Sequence, residues 1–507
     1  MLKPIAMVAV ALAAGAAHAV GFAPWGLPWL QVLALTLLFA VCGRARNARQ
    51  AAAQGFAFGL GWFGVGVSWV YISMHVYGQM PAWLAALATL AFCAFLSLYP
   101  ALALAVARWL APAPFARLAL VLPGCWALAE WLRGTLLTGF PWLASGYAHT
   151  DGPLAGFAPI VGVYGVSLAS ALLAGALALL ALPLVQRGSR GYAWMAAVSV
   201  LMLGGGLALA PLRWTSAAGA PISVKLVQAN IPQEAKFTVP GLMRAFEDHW
   251  VLMQGPRADL VALPESVFPV PLAFVPAEAI DKLRTYARER HSAVIFGVFI
   301  EEPADAYFNS AVGWAPDATT WQRYSKQHLV PFGEFIPQGF RWFVDRMQIP
   351  IGDQQRGGPD QAPMELAGQR IAVNICYEDL FGNVIRRAWH DPDRTPTMML
   401  NMSNLAWFRD SIALPQHLQI SRMRALETQH PMLRATNTGA TAIIDASGVV
   451  VSKLPLQTAG ALDAMAQGTQ GTTPYIRFGD TPAVLLALLL VGVGAASARR
   501  RSHSGRS

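Results

Sequence analysis

The sequence has little charge. Asp, Glu, Lys and Arg make up 13% of its 507 residues, about half of the ~25% usual for soluble proteins. That scarcity excludes an ordinary soluble chain. The 55% apolar content and the mean hydropathy of +0.42 point instead to several membrane-crossing segments. A net charge of +9 does not make a nucleic-acid surface, because the basic residues fall in short clusters between apolar runs, as in cytoplasmic loops. There is no glycine-rich phosphate loop, internal repeat or low-complexity tract. Cysteine is scarce too. Cys42, Cys93 and Cys125 lie in apolar stretches, and Cys376 stands alone in the polar part of the chain. No pair has metal-site spacing and Cys376 lacks an intradomain disulfide partner, so neither metal nor cofactor is expected.

Eight apolar segments are expected to cross a membrane as helices: 1–20, 27–42, 55–76, 83–106, 118–137, 160–185, 192–212 and 482–498. The first has signal-peptide features, Lys3 and then Ala17-His18-Ala19, but apolar segments continue long after it, and it reads as an uncleaved span. The second is marginal in length. The fifth carries Glu130 and Arg133, three residues apart on one helical face, where they could neutralise each other. Arg44, Arg46 and Arg49, then Arg108 and Arg117, Arg187 and Arg190, and finally Arg499 to Arg501 follow the even-numbered spans. The loops after spans one, three and five lack Lys and Arg. Both termini are therefore expected in the cytoplasm, and the long segment after span seven on the opposite side.

That segment, 220–476, changes pattern. Short strands are expected at 222–229, 260–263, 293–300, 310–315, 371–375 and 397–400. Helices are expected at 240–254, 276–290 and 415–428, each with a proline near its first turn. The alternation argues an α/β fold. The expected domains are 1–219 (seven membrane helices), 220–476 (α/β, catalytic) and 477–507 (a last helix and a basic tail).

Three stretches of this segment pass abruptly from apolar to polar. LPES brings Glu265 to a strand end, YSKQHLVPFGEFIP carries Lys326, His328 and Glu334, and NICYED carries Cys376. A thiol of ordinary pKa ~8.5 is mostly protonated near neutrality, and the thiolate is the nucleophile. A carboxylate can take its proton and return it, and a lysine can stabilise the thiolate and an oxyanion. Such a set suits acyl transfer through a thioester. Each residue also has a plainer reading: an inert buried thiol, a cap, a solvated lysine, a turn carboxylate before Pro337. His328 reads as structural. Phe332, Phe335, Phe340, Trp342 and Phe343 read as core or as a mobile lid.

LPES, YSKQHLVPFGEFIP and NICYED resemble the Glu-Lys-Cys signature of the nitrilase, or carbon–nitrogen hydrolase, superfamily. FAPW near the start, EWLRG at Glu130, TGFPWLASGY at Thr138, VQANIPQ at Val227 and RMRALETQHPMLRATNTG at Arg422 look more like the apolipoprotein N-acyltransferase family, over nearly the whole chain. The resemblance implies an αββα sandwich on an eight-helix domain in a bacterial inner membrane, with the sandwich in the periplasm. It implies a phospholipid donor, a diacylglyceryl-modified apolipoprotein acceptor and a Cys376 thioester, in a protein expected to be a monomer. Glu265 would be the base and Lys326 the oxyanion stabiliser, with Glu334, Tyr377 and Glu378 in support. Phe237, Trp407 and Phe408 are expected to meet substrate. Two positions depart from the pattern: Leu405 stands where an aspartate is expected, and Phe237 follows Lys236 where a tryptophan is expected. The alternatives are a membrane-anchored amidase with the same three residues and a transporter or scaffold with an inactive domain.

Overall fold

The computed structural model describes residues 4–181, 189–233, 239–302, 306–339, 341 and 353–504. The chain forms two compact units, Met1–Leu212 with Arg477–Ser507, and Arg213–Ile476.

The first unit is helical, and each of the eight expected apolar segments falls on helix. Eight spans, however, are not what the lengths give. Among the described residues, five helices are long and apolar enough to cross a membrane: Ala82–Leu110, Pro114–Thr138, Pro153–Ala178, Gly191–Leu209 and Thr481–Ala498. A sixth is counted if Ala48–Gly66 and Val70–Tyr77, bent by 62° at their break, form one span. Ile5–Ala19 and Pro28–Gly43 are shorter. A 16-residue helix is about 24 Å long at 1.5 Å per residue, short of a hydrocarbon core of about 30 Å.

Small residues bring the first of these helices together. A Cβ on Gly15 would lie 1.9 Å from the Phe58 carbonyl oxygen, and one on Gly61 would lie 2.0 Å from that of Leu12. The helices Pro4–Ala19 and Ala48–Gly66 thus pack backbone against backbone, as small residues permit where apolar burial gives no drive.

Glu130 and Arg133, expected to neutralise each other, do interact as opposite charges, and each also bonds to the loop after the helix. The Glu130 carboxylate accepts from the Ser145 backbone N–H at 3.0 Å and from its hydroxyl at 2.6 Å. Arg133 donates to the carbonyls of Phe140 and Trp142 at 2.5 and 2.7 Å and lies over the Trp62 and Phe63 rings. Both are buried. The loop after their helix has backbone groups to satisfy, and these two side chains satisfy them.

The second unit is built on two facing sheets, with Thr215–Ala217 and Thr469–Gly471 forming a separate antiparallel pair. One runs in the order Gly460–Ala466, Ile222–Gln228, Leu260–Ala262, Ala293–Glu302, Ala306–Trp314, Gln322–Ser325, with Phe268–Pro271 also on Ala293–Glu302. The other runs Val450–Lys453, Ala442–Ile444, Met432–Thr436, Met398–Ser403, Gln369–Ile375, Met364–Leu366. Alternation sorts the side chains. Ile371, Val373 and Ile375 enter a core shared with Leu226, Ile295 and Ala311 of the first sheet. Ala372 and Met399 point the other way, against Ala425 of the helix Ala413–Thr428. On the far side of the first sheet, Phe246 and Leu283 of the helices Val239–Met253 and Ala277–Arg290 pack on Val261 and Phe296. The implied αββα sandwich is present. Among the strands that the sequence did not announce, Met432–Thr436 carries Arg434, Ala442–Ile444 has three residues, and Gly460–Ala466 has seven, with Asp463 in its middle.

Gly61→Val should force the first helix pair apart and cost about 2–3 kcal/mol. Gly64→Ala, whose Cβ would meet nothing within 4 Å, should leave the Tm of the detergent-purified protein unchanged. Equal melting of the two variants would contradict the close packing.

Candidate active site

Glu265 follows the strand Leu260–Ala262, where Leu263 and Pro264 end the apolar run. The chain can pass there because residue 297 is glycine: a Cβ would lie 2.6 Å from the Ser266 nitrogen and 2.8 Å from the Glu265 Cα. One Glu265 oxygen accepts from Asn309 Nδ2 at 2.8 Å and lies 3.6 Å from Lys326 Nζ. The other accepts from the Asn404 backbone N–H at 2.8 Å.

Lys326 follows the strand Gln322–Ser325 and is fixed through its backbone by the Asn309 carbonyl and the Gly357 N–H. Its ammonium is buried and donates to Glu334 Oε1 at 2.6 Å, a closer partner than Glu265. The second Glu334 oxygen accepts from the Val330 N–H at 2.8 Å. Burial alone would lower the Lys326 pKa, but Glu334 and then Glu265 outweigh it and hold the ammonium above its ordinary range.

Cys376 closes the strand Gln369–Ile375 and opens a short 3₁₀ turn, Cys376–Leu380, with φ of +53°. A left-handed backbone costs a non-glycine residue about 1–2 kcal/mol, and such outliers gather at functional sites. The thiol is only partly buried. It lies in the field of Glu265, Lys326 and Glu334. Loss of water around it pushes the thiol up, Glu265 adds to that, and Lys326 pulls against both; the net direction is up. The lysine does not by itself make a standing thiolate.

Glu378 joins two of these segments. Its carboxylate accepts from the Ile375 N–H at 2.7 Å, beside the cysteine. It also accepts from the N–H groups of Gln327 and His328 at 2.6 and 3.0 Å, beside the lysine. Tyr324 donates to it at 2.9 Å. Burial lifts Glu378 to about 7 against the pull of those donors. His328 stacks on Phe381 with ring centroids 3.5 Å apart, in keeping with its structural reading.

Tyr377 is buried, its ring 5.1 Å from that of Phe381. Trp407 and Phe408 sit in the turn Ala406–Phe408, close after Asn404; Trp407 is exposed and Phe408 half-buried. Leu405 is buried. Phe332 is exposed and Phe335 half-buried. Phe237, Phe340, Trp342 and Phe343 lie outside the described residues. Asn309 and the Asn404 N–H were not foreseen. Asn309 sits in mid-strand without a motif, and a backbone donor leaves no trace in residue type. Among the described residues, no cluster of His, Cys, Asp or Glu could hold a metal ion.

At about pH 8, alkylation of Cys376 by iodoacetamide should slow by about 10-fold or more in Lys326→Met, which removes the cation opposing the upward shift. In Glu265→Gln the pH midpoint of alkylation should move down. Mass spectrometry of the Cys376 peptide reads both, and an upward move in Glu265→Gln would take Glu265 out of the thiol's field.

Comparison with known proteins accounts for both units. Residues 14–176 match the apolipoprotein N-acyltransferase N-terminal domain, and residues 223–473 match the carbon-nitrogen hydrolase family. A Ralstonia nicotianae protein named apolipoprotein N-acyltransferase is 50% identical over 495 residues, 96% of this chain and 92% of its own. Proteins of the same name from Bordetella bronchiseptica and Nitrosomonas europaea are 45% and 44% identical, each over 97% of this chain and 97% and 98% of their own. With both units matched and half of the residues shared along nearly the whole length, the chain belongs to the apolipoprotein N-acyltransferase family.

Proposed function

We propose that this protein acylates the N-terminal amine of apolipoproteins through a thioester on Cys376, with a membrane phospholipid as donor. The observation that carries this reading is the buried Glu265–Lys326 pair, 3.6 Å apart, with the Cys376 thiol in the field of both, in a chain of this family.

The resting thiol is protonated, so Glu265 acts as general base and takes the proton as sulfur attacks the ester carbonyl. The negative oxygen of the tetrahedral intermediate faces Lys326. The carbon–oxygen bond breaks, Glu265 returns the proton to the departing alkoxide, and a lysophospholipid leaves. The acceptor amine then attacks the thioester. Its proton passes to Glu265, the carbon–sulfur bond breaks, and the proton returns to the sulfur. Glu334 holds Lys326 in place, Glu378 keeps the lysine and cysteine segments in register, and Tyr377 shapes the floor. Phe237, Trp407 and Phe408 supply apolar contact for the acyl chain and keep water from the thioester. The helical unit lies in a bacterial inner membrane. Both termini are cytoplasmic and residues 220–476 periplasmic, which the arginine clusters support. The protein acts as a monomer and needs no cofactor.

Purified enzyme incubated with phospholipid labelled in its acyl chain should carry label on Cys376, released by hydroxylamine. Cys376→Ala should take up none and yield no triacylated lipoprotein by mass spectrometry. Full transfer by Cys376→Ala would end this reading.

A further inference from the structure

The left-handed turn at Cys376 needs something to hold it, and the molecule supplies a second, buried layer of polar groups behind the nucleophile. Asn374, Asn401 and Arg434 stand side by side in register on three parallel strands. The helix Ala413–Thr428 brings His417 and Ser421, one turn apart, to the same groups. All five are buried. This helix hides polar residues where a helix on a sheet normally hides apolar ones.

The hydrogen bonds of this layer have one consistent direction. Asp379 accepts from Arg434 at 2.8 Å and from the Ser421 hydroxyl. Arg434 Nη2 lies 2.8 Å from His417 Nδ1. A guanidinium has no acceptor, so Nδ1 must accept, and the remaining proton of the neutral ring is on Nε2. That Nε2–H lies 3.2 Å from the Cys376 carbonyl oxygen. Asn401 Nδ2 donates to the same oxygen at 3.2 Å and to Asn374 Oδ1 at 2.6 Å, while Asn401 Oδ1 accepts from the Ser403 hydroxyl. Two donors on one carbonyl fix the peptide plane that follows the cysteine.

We propose that His417 is a positioning residue for the nucleophile: locked as the Nε2–H tautomer by Arg434, it grips the Cys376 carbonyl and keeps the cysteine in the turn that presents its sulfur to Glu265 and Lys326. The inference rests on the reading of Cys376 as the nucleophile. It assigns His417 no contact with substrate. Burial and the nearby Arg434, with Lys326 beyond, keep the ring from protonating, and Asp379 balances Arg434 rather than the histidine.

Asparagine and glutamine separate the two bonds of the histidine. His417→Asn can still accept from Arg434 but does not reach Cys376, whereas His417→Gln carries an N–H to the place of Nε2. In His417→Asn, kcat should fall by about 10–30-fold with KM within about 2-fold, the scale of one lost hydrogen bond at a buried acceptor. The pH midpoint of Cys376 alkylation should drop toward the ordinary thiol range as the sulfur leaves the field of Glu265, Lys326 and Glu334. His417→Gln should recover kcat to within about 3-fold and restore the midpoint. A wild-type midpoint and kcat in His417→Asn, or equal losses in both variants, would overturn the proposal. Should His417→Asn not fold, nitrogen NMR of the histidine-labelled wild type decides, with Nε2–H expected and Nδ1–H against. Normal alkylation profiles in an enzyme that transfers no acyl chain would sink the acyl-transfer reading alone.

Discussion

A single carboxylate, Glu378, holds the site in one piece. It takes three backbone N–H groups from two segments about fifty residues apart, one ending in Lys326 and the other in Cys376. Backbone donors cannot be moved by a rotamer change, so the bonds fix chain against chain rather than side chain against side chain. The arrangement costs the desolvation of a carboxyl, which is why Glu378 is lifted to about 7. The four donors around it offset that cost. Half of a capping box is also visible, since the carboxylate reaches back to the N–H that opens its own 3₁₀ turn.

The charges around the sulfur follow from this frame. Lys326 stands between two carboxylates and closer to Glu334 than to Glu265. One cation therefore faces two anions before the thiol ionises, and a thiolate would add a third negative charge in a site with little water. Coulomb's law in such surroundings favours the neutral thiol. A protonated resting thiol also resists adventitious oxidation, which suits a sulfur that is only partly buried.

Part of the site was legible because Glu265 and Cys376 end apolar runs, interrupting a strand pattern with a reactive side chain. Lys326 follows the polar strand Gln322–Ser325, which was not foreseen, and was legible from its motif alone. Asn309 was not legible: it sits inside a strand, with no pattern to distinguish it from an ordinary polar residue. Arg434 lay within a stretch that carried the family resemblance and His417 on an expected helix, yet nothing local shows that they meet. Glu130 and Arg133 were legible only as opposite charges. Their spacing shows that attraction, but not the bonds each makes to the loop after the helix.

The apolar runs alone marked a helical unit and an α/β unit, and the motifs LPES, YSKQHLVPFGEFIP and NICYED together marked the carboxylate, the ammonium and the thiol. Those depend on composition and on local periodicity, which a chain carries wherever it folds. Helix length in the first unit, the left-handed φ of Cys376, the choice of Glu334 as the nearer partner of Lys326, and the N–H of Asn404 on Glu265, 139 residues away, were decided by the tertiary structure. They are contacts across facing sheets and between packed helices, and local sequence cannot encode a distance between segments that meet only when the sandwich closes.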